Sequence, residues 1–397
     1  MEIPRIFLLC LAIAPGPAVL QAGEGGAALA QTIDDVITTQ RFLDDIPGAT
    51  VAVVQGGRVL HVRGYGLADR AQQLPVDAGR TLFGTGSVAK VFTWTAVMQL
   101  VEQGRLLLDR DINDYLGDFQ VPASWPAPVT LADLMTHTAG FEDRNIGFYA
   151  RDPADLLPLG AFLARHMPAR VYPPGTVSAY SNYGAALAGH IVATVSGMPF
   201  EQYIERHILA PLGMQHSSFR QPLPAALAAG EAVGYRGREG HAGRSWYQAR
   251  PSGALRATAA DMARFMIAHL QRGRLGETRI FSTDTAAAMQ QRQFSNHPAV
   301  NGLTYGFQEL TRNGLRVLWQ RGDTLYFTAG MFLVPELDLG VFVACNRARV
   351  GHAPLELLDA ILAQLQPPRP IPRPRLPVAG ATATDRLTGA YRTTRSN

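Results

Sequence analysis

The sequence predicts an α+β fold: an antiparallel sheet flanked by helices and built from both chain ends, with a mainly helical domain inserted between them. Three observations predict it. An alternating apolar hairpin spans Ala49 to Gly64, strand-like runs return from Leu303 onward, and helical periodicity dominates the stretch between. On this reading, residues 31–80 and 250–366 form a discontinuous sheet domain, and 81–249 form the helical domain.

The first thirty residues read as a signal peptide. Arg5 supplies a small positive region, and the apolar stretch from Ile6 to Leu20 is too short and too Pro-interrupted to span a bilayer. Ala28-Leu29-Ala30 offers a cleavage site before Gln31, Ala22 an earlier one, and an uncleaved anchor is the other reading. The expected location is secreted or periplasmic. No later stretch is long and apolar enough to cross a membrane, so the sequence does not require membrane association.

A helix near Ile33 to Phe42 precedes the hairpin. There T-V-A-V-V-Q and R-V-L-H-V-R are separated by Gly56-Gly57, a pair suited to a tight two-residue turn. Val88 to Gln103 carries a helical apolar stripe that stops at Gly104. Further helices are predicted over Leu131–Met135, Tyr183–Val195, Pro199–Ile208 and Ala259–Gln271. Strands follow over Leu315–Gln320 (after an Asn313-Gly314 turn), Leu325–Val334 and Gly340–Cys345. A closing amphipathic helix spans Gly351–Gln366. Residues 367–397 read as a Pro/Arg-rich linker and then a short strand-like stub, Leu387 to Arg392. That stub is too small to fold alone, so it either packs on the body or begins a further module.

Composition narrows the function. Apolar residues make up 47% and charged residues 17%, an ordinary globular balance. The net charge is +4 from 36 basic and 32 acidic side chains, with no dense basic run, so nucleic acid is not an expected partner. Cys10 lies in the leader and leaves Cys345 without a mate, so no disulfide is expected. The histidines show neither H-E-x-x-H nor Cys-His spacing, and neither a metal nor another cofactor is expected. One fact is sharper: Lys90 is the sole lysine in the chain, every other basic side chain being arginine. Arginine cannot give up its proton near neutral pH, whereas a buried lysine can.

That lysine closes F-G-T-G-S-V-A-K, Phe83 to Lys90. Three residues separate it from Ser87, which puts both on one face of the predicted helix. The helix N-terminus favours a developing oxyanion, and a poorly solvated lysine there should have a depressed pKa and, when neutral, could accept the serine proton. S-x-x-K alone is a short pattern that also fits a helix cap with a surface lysine. A second candidate, Tyr180-Ser181-Asn182, precedes an apolar helix. A phenol beside an ammonium can act as base, and Asn182 can both donate to a carbonyl and accept from a lysine. A plain helix cap is the alternative there too.

With these two motifs in order, the chain resembles the serine beta-lactamase-related superfamily: class C beta-lactamases, D-alanyl-D-alanine carboxypeptidases and family VIII carboxylesterases. Leu134 to Gly140 (L-M-T-H-T-A-G), Pro211 to Met214, Ser252 to Met262 and Tyr305 to Phe307 add to the likeness, which runs from the first hairpin to about Gln366. The resemblance implies a beta-lactamase/transpeptidase-like fold and an acyl-enzyme route. Ser87 attacks, Lys90 and Tyr180 shuttle protons, and Asn182 orients a small-molecule or peptidic ester or amide. His137, inside the Thr-rich turn, is expected to stabilise that turn by hydrogen bonding rather than to catalyse.

The family's third element, Lys or His, any residue, then Gly, is matched best by Gln320-Arg321-Gly322, with Asp323 following. Gly322 would permit close backbone approach to substrate, and the Asp323 N–H would join that of Ser87 in an oxyanion hole. Gln320 cannot supply the expected cation. Charge-assisted hydrogen bonds contribute about 1.5–3 kcal/mol against roughly 1 for neutral ones, so carboxylate-bearing substrates should be used poorly. A penicillin-binding or cell-wall-sensing relative with weak or no turnover is the alternative reading. Arg321 could compensate for the missing cation, although strict strand alternation would turn it to the opposite face, and the sequence leaves both open.

Overall fold

The computed structural model describes residues 24–144, 146–237 and 240–366. The expected leader core and the Pro/Arg-rich tail with its stub lie outside the described residues. Among those described, no helix is long and apolar enough to cross a membrane.

The described residues begin with α1 (Glu24–Leu43) and enter the hairpin of β1 (Gly48–Gln55) and β2 (Arg58–Asp69). Gly56 and Gly57 take φ of 58° and 71°, a two-residue turn that a side chain would strain. A short β3 (Leu74–Pro75) pairs with β2. The middle supplies α2 (Ala89–Glu102), α3 (Leu131–Met135), β4 (Tyr149–Ala150), α4 (Asn182–Ser196), β5 (Trp246–Tyr247) and α5 (Ala259–Leu270). The chain then returns through β6 (Arg292–Phe294), β7 (Leu303–Thr304), β8 (Gln308–Arg312), β9 (Leu315–Asp323), β10 (Thr328–Val334) and β11 (Leu339–Cys345). It closes with α6 (Ala353–Leu365).

Among the described residues, the main sheet has nine strands in the order β6-β7-β8-β9-β10-β11-β1-β2-β3, and its pairs are antiparallel. The two chain ends meet where β1 pairs with β11, Ala49 opposite Cys345 through Gln55 opposite Leu339. This is the predicted architecture.

Alternation divides the sheet residues between two cores. Val51, Val53, Val341 and Val343 point to the side that α1 and α6 cover, with Ile33, Leu357 and Ile361. Ala52, Val54, Phe342 and Ala344 point the other way, into the core shared with α2, α4 and α5. Burying a Val- or Leu-sized side chain contributes about 1.5–3 kcal/mol, so each face is anchored by several such terms.

Element boundaries follow the sequence closely, with two instructive shifts. The strand expected to stop at Gln320 runs on to Asp323, and the one expected from Leu325 starts at Thr328. The reason is the hairpin between them: Thr324 accepts from the N–H groups of Tyr326 and Phe327 through its hydroxyl, at 3.0 and 2.8 Å, which turns the chain there.

Candidate active site

Ser87 sits in a single 3₁₀ turn, Gly86–Val88, that leads directly into α2. The turn is pinned from outside: Thr85 donates its N–H to Leu255 O at 3.0 Å and its hydroxyl to the same oxygen at 3.2 Å. Gly86 has φ of 53°, and a Cβ there would lie 2.9 Å from the Asp323 nitrogen. The glycine therefore lets the serine turn press against the end of β9.

Lys90, about one turn on from Ser87 at the start of α2, is fully buried. Its Nζ donates to Ser87 Oγ at 2.9 Å, to Asn182 Oδ1 at 2.7 Å and to the main-chain oxygen of Ser252 at 2.7 Å. The predicted pairing of residues 87 and 90 thus holds, and a position 92 residues away joins it. The Ser252 carbonyl was not foreseen. It is delivered by the turn Arg250–Ser252, which Thr93 of α2 also holds by donating to Pro251 O at 2.7 Å. A backbone oxygen leaves no mark in residue type, so the sequence could show only that Ser252 opens a family-like stretch.

Tyr180 and Asn182 flank the N-terminus of α4. Ser181 caps the helix by accepting from the Gly184 N–H at 3.0 Å, so the plain-cap reading holds for Ser181, while its neighbour Asn182 accepts from Lys90. The Tyr180 ring centre lies 4.9 Å from Lys90 Nζ. Ser87, Tyr180 and Asn182 line one cavity of about 360 Å³ together with Phe148, Tyr149, Tyr247, Gln308, Gln320, Arg321 and Asp323.

The β9 end forms the opposite wall. β8 pairs with β9 only as far as Trp319, leaving Gln320–Asp323 bonded to β10 alone and open on the side of the serine turn. Thr324 donates its N–H across the hairpin to Phe327 O at 2.9 Å, so alternation turns the preceding N–H, that of Asp323, away from β10, on the edge where Gly86 of the serine turn packs.

Two expectations for this strand need correcting. Gly322 is not among the cavity-lining residues; a Cβ there would lie 1.9 Å from Thr85 O and 2.9 Å from the Ser87 nitrogen. Its bare backbone admits the serine turn rather than a substrate. Arg321 does reach the cavity wall, but its guanidinium is tied to Asp323 Oδ2 at 2.7 Å and Gly351 O at 2.9 Å. Gln320 lines the cavity, is 3% exposed, and donates its amide to Arg321 O at 2.9 Å.

The remaining wall is aromatic and was missed from sequence. β4 and β5 pair, bringing the hydroxyls of Tyr149 and Tyr247 to 2.8 Å. Burial holds both phenols protonated by raising them above the ordinary tyrosine range, Tyr247 well above it. Two-residue strands 97 positions apart carry no periodicity by which to find them. Among the described residues, no group of three or more His, Cys, Asp or Glu side chains could hold a metal ion.

A buried amine between a serine and an asparagine, on a helix packed against an antiparallel sheet, defines a class that includes serine hydrolases and penicillin-binding proteins. The chain belongs to the beta-lactamase family, whose model matches residues 33–366. It is similar to a penicillin-binding protein 4 of Amycolatopsis lactamdurans, at 33% identity over 62% of this chain and 66% of the relative. A beta-lactamase of Escherichia coli strain K12 is 31% identical over 85% of this chain and 92% of the relative. A solved class C beta-lactamase from Rhodobacter sphaeroides shares the fold, with TM-score 0.70 and 23% identity over 84% of this chain and 99% of that one. Against several curated relatives the match spans only about half to two thirds of their length.

Proposed function

We propose that this protein is an exported serine hydrolase that cleaves an ester or amide through an acyl-enzyme on Ser87. The observation that carries the reading is the Lys90 amine, fully buried and 2.9 Å from the serine oxygen. Burial disfavours a standing positive charge, and the 2.9 Å hydrogen bond gives a direct path for the serine proton. Ser87 Oγ attacks the carbonyl carbon as that proton passes to Lys90. The oxyanion forms between the N–H groups of Ser87 and Asp323. Tyr180 returns a proton to the leaving group, and a water activated by the same pair then releases the acid. Asn182 steadies the amine and reaches the substrate.

The cavity favours a neutral substrate. Gln320 stands where a cation would anchor a carboxylate, Arg321 is committed to Asp323, and the Tyr149 and Tyr247 phenols stay uncharged. Phe148, Tyr149 and Tyr247 offer aromatic faces to an apolar acyl group. An uncharged ester is therefore the preferred substrate class. The substitution at Gln320 also favours the second reading, a penicillin-binding relative that acylates and turns over slowly.

Burst kinetics separate the two. Rapid steady-state turnover of p-nitrophenyl acetate, with slow nitrocefin hydrolysis, is the expected outcome. A stoichiometric burst that leaves a stable adduct would establish the binding-protein reading instead. Export is tested by fractionation. Leu29 is buried within α1, so a cut after Ala30 would remove packed helix, whereas a cut after Ala22 spares it.

A further inference from the structure

Both backbone neighbours of Tyr180, a residue of the cavity wall, are bonded to His137. The Ala179 N–H donates to the His137 carbonyl at 2.8 Å, and the Ser181 N–H donates to His137 Nδ1 at 3.2 Å. The main chain on each side of the phenol is thus clamped by one residue. The imidazole also lies against the phenol itself, with ring centres 4.5 Å apart and an interplanar angle of 37°.

His137 is in turn held in place. It is 4% exposed, it follows α3, and its N–H donates to Leu134 O at 3.3 Å. Its φ of 55° is a left-handed conformation that a histidine adopts at some cost, which fits a residue whose backbone and side chain must both face the same strand of chain. Its ring meets Trp94 edge-on at 6.2 Å. Trp94 is four residues, about one helical turn, from Lys90 on α2. The imidazole therefore sits between the helix that carries the amine and the loop that carries the phenol. Accepting from an amide N–H requires an unprotonated Nδ1, so the ring is neutral with its proton on Nε2.

We propose that His137 is a positioning residue: it fixes the Tyr180 phenol at its working distance from Lys90 and Ser87, and so sets the rate of proton transfer without contacting substrate. This rests on the reading of Tyr180 as proton carrier. An ordinary turn-stabilising histidine needs neither the two-sided clamp nor the stacked phenol. A small misplacement of a reacting group costs far more in rate than in binding.

The test is a double-mutant cycle with p-nitrophenyl acetate, normalised to folded protein by circular dichroism and thermal melting. His137→Phe keeps a ring without the acceptor. His137→Gly takes the positive φ without strain and removes both, and serves if the Phe variant does not fold. Either is expected to lower kcat about ten- to a hundredfold, with KM within about twofold. His137→Asn, whose side-chain oxygen can take the place of Nδ1, is expected to recover kcat to within about threefold of wild type. In a Tyr180→Phe background the histidine substitution should cost nothing further, because the group it positions is gone. Equal losses in both backgrounds, or a rise in KM at constant kcat, would overturn the inference. Tyr180→Phe with wild-type kcat would instead overturn the reading of Tyr180, whatever the His137 variants do.

Discussion

Lys90 Nζ has three oxygen acceptors around it, from a side-chain hydroxyl, a side-chain amide and a main-chain carbonyl, on three separate elements. An ammonium donates to all three, whereas a neutral amine donates to Asn182 Oδ1 and the Ser252 carbonyl and accepts from the Ser87 hydroxyl. Either form reaches its arrangement by rotating about the last side-chain bond. A planar guanidinium cannot, and it cannot release a proton. Lys90→Arg should therefore lose about a thousandfold or more in kcat, close to the loss in Lys90→Ala, as measured by stopped-flow acylation. Near-normal turnover in the Arg variant would remove Lys90 from the proton path. Ser87→Ala should abolish labelling by a fluorophosphonate, and labelling of another serine would defeat the assignment. Gln320→Lys should raise kcat/KM for carboxylate-bearing substrates by about tenfold and leave neutral esters unchanged. If both substrate classes change equally, the specificity argument is wrong.

Among the elements, the contact between the serine turn and β9 is the most demanding. Two glycines make it, Gly86 on the turn and Gly322 on the strand, each with a backbone atom of the other segment within 3 Å of where a Cβ would go. Gly322→Ala should displace the strand, costing about 1–3 kcal/mol of stability and most of the activity. Urea denaturation with parallel ester assays reads both; an alanine variant with wild-type kinetics would show that the contact has slack. The α4 cap is a milder case. Ser181→Ala should cost about 1 kcal/mol by the same denaturation measurement.

For the whole molecule, acid stability follows from buried histidines. His269 is 1% exposed, surrounded by Phe265, Phe281 and Phe307, and burial pushes it down to about 3. Burial also lowers His61 and His190. A histidine kept neutral in the fold but free to protonate when unfolded favours the native state above its ordinary range near 6.5. That contribution is lost as pH falls toward the folded value. Urea midpoints should therefore decline from pH 7 to pH 5, before the carboxylates Glu102 and Glu309, held below their ordinary range, begin to protonate. His269→Phe should flatten the decline, and an unchanged slope would assign it elsewhere.

Local pattern alone determined much of this protein. Period-two and helical repeats placed β1, β2, β11, α2 and α6 within a few residues, because those periods are set by backbone geometry and survive any tertiary context. The S-x-x-K spacing and the solitary lysine marked Ser87 and Lys90 as a pair, which the structure joins at 2.9 Å, since residues three apart in a helical turn share a face. Tertiary structure alone decided which backbone groups approach that pair: the Ser252 carbonyl, the Asp323 N–H and the His137 clamp on Tyr180. It also decided that Gly322 serves the serine turn, and that Tyr149 and Tyr247 meet on one wall of the cleft. Such contacts join segments far apart in the chain, and main-chain atoms are the same at every position. No residue type or spacing can announce them before the chain has folded.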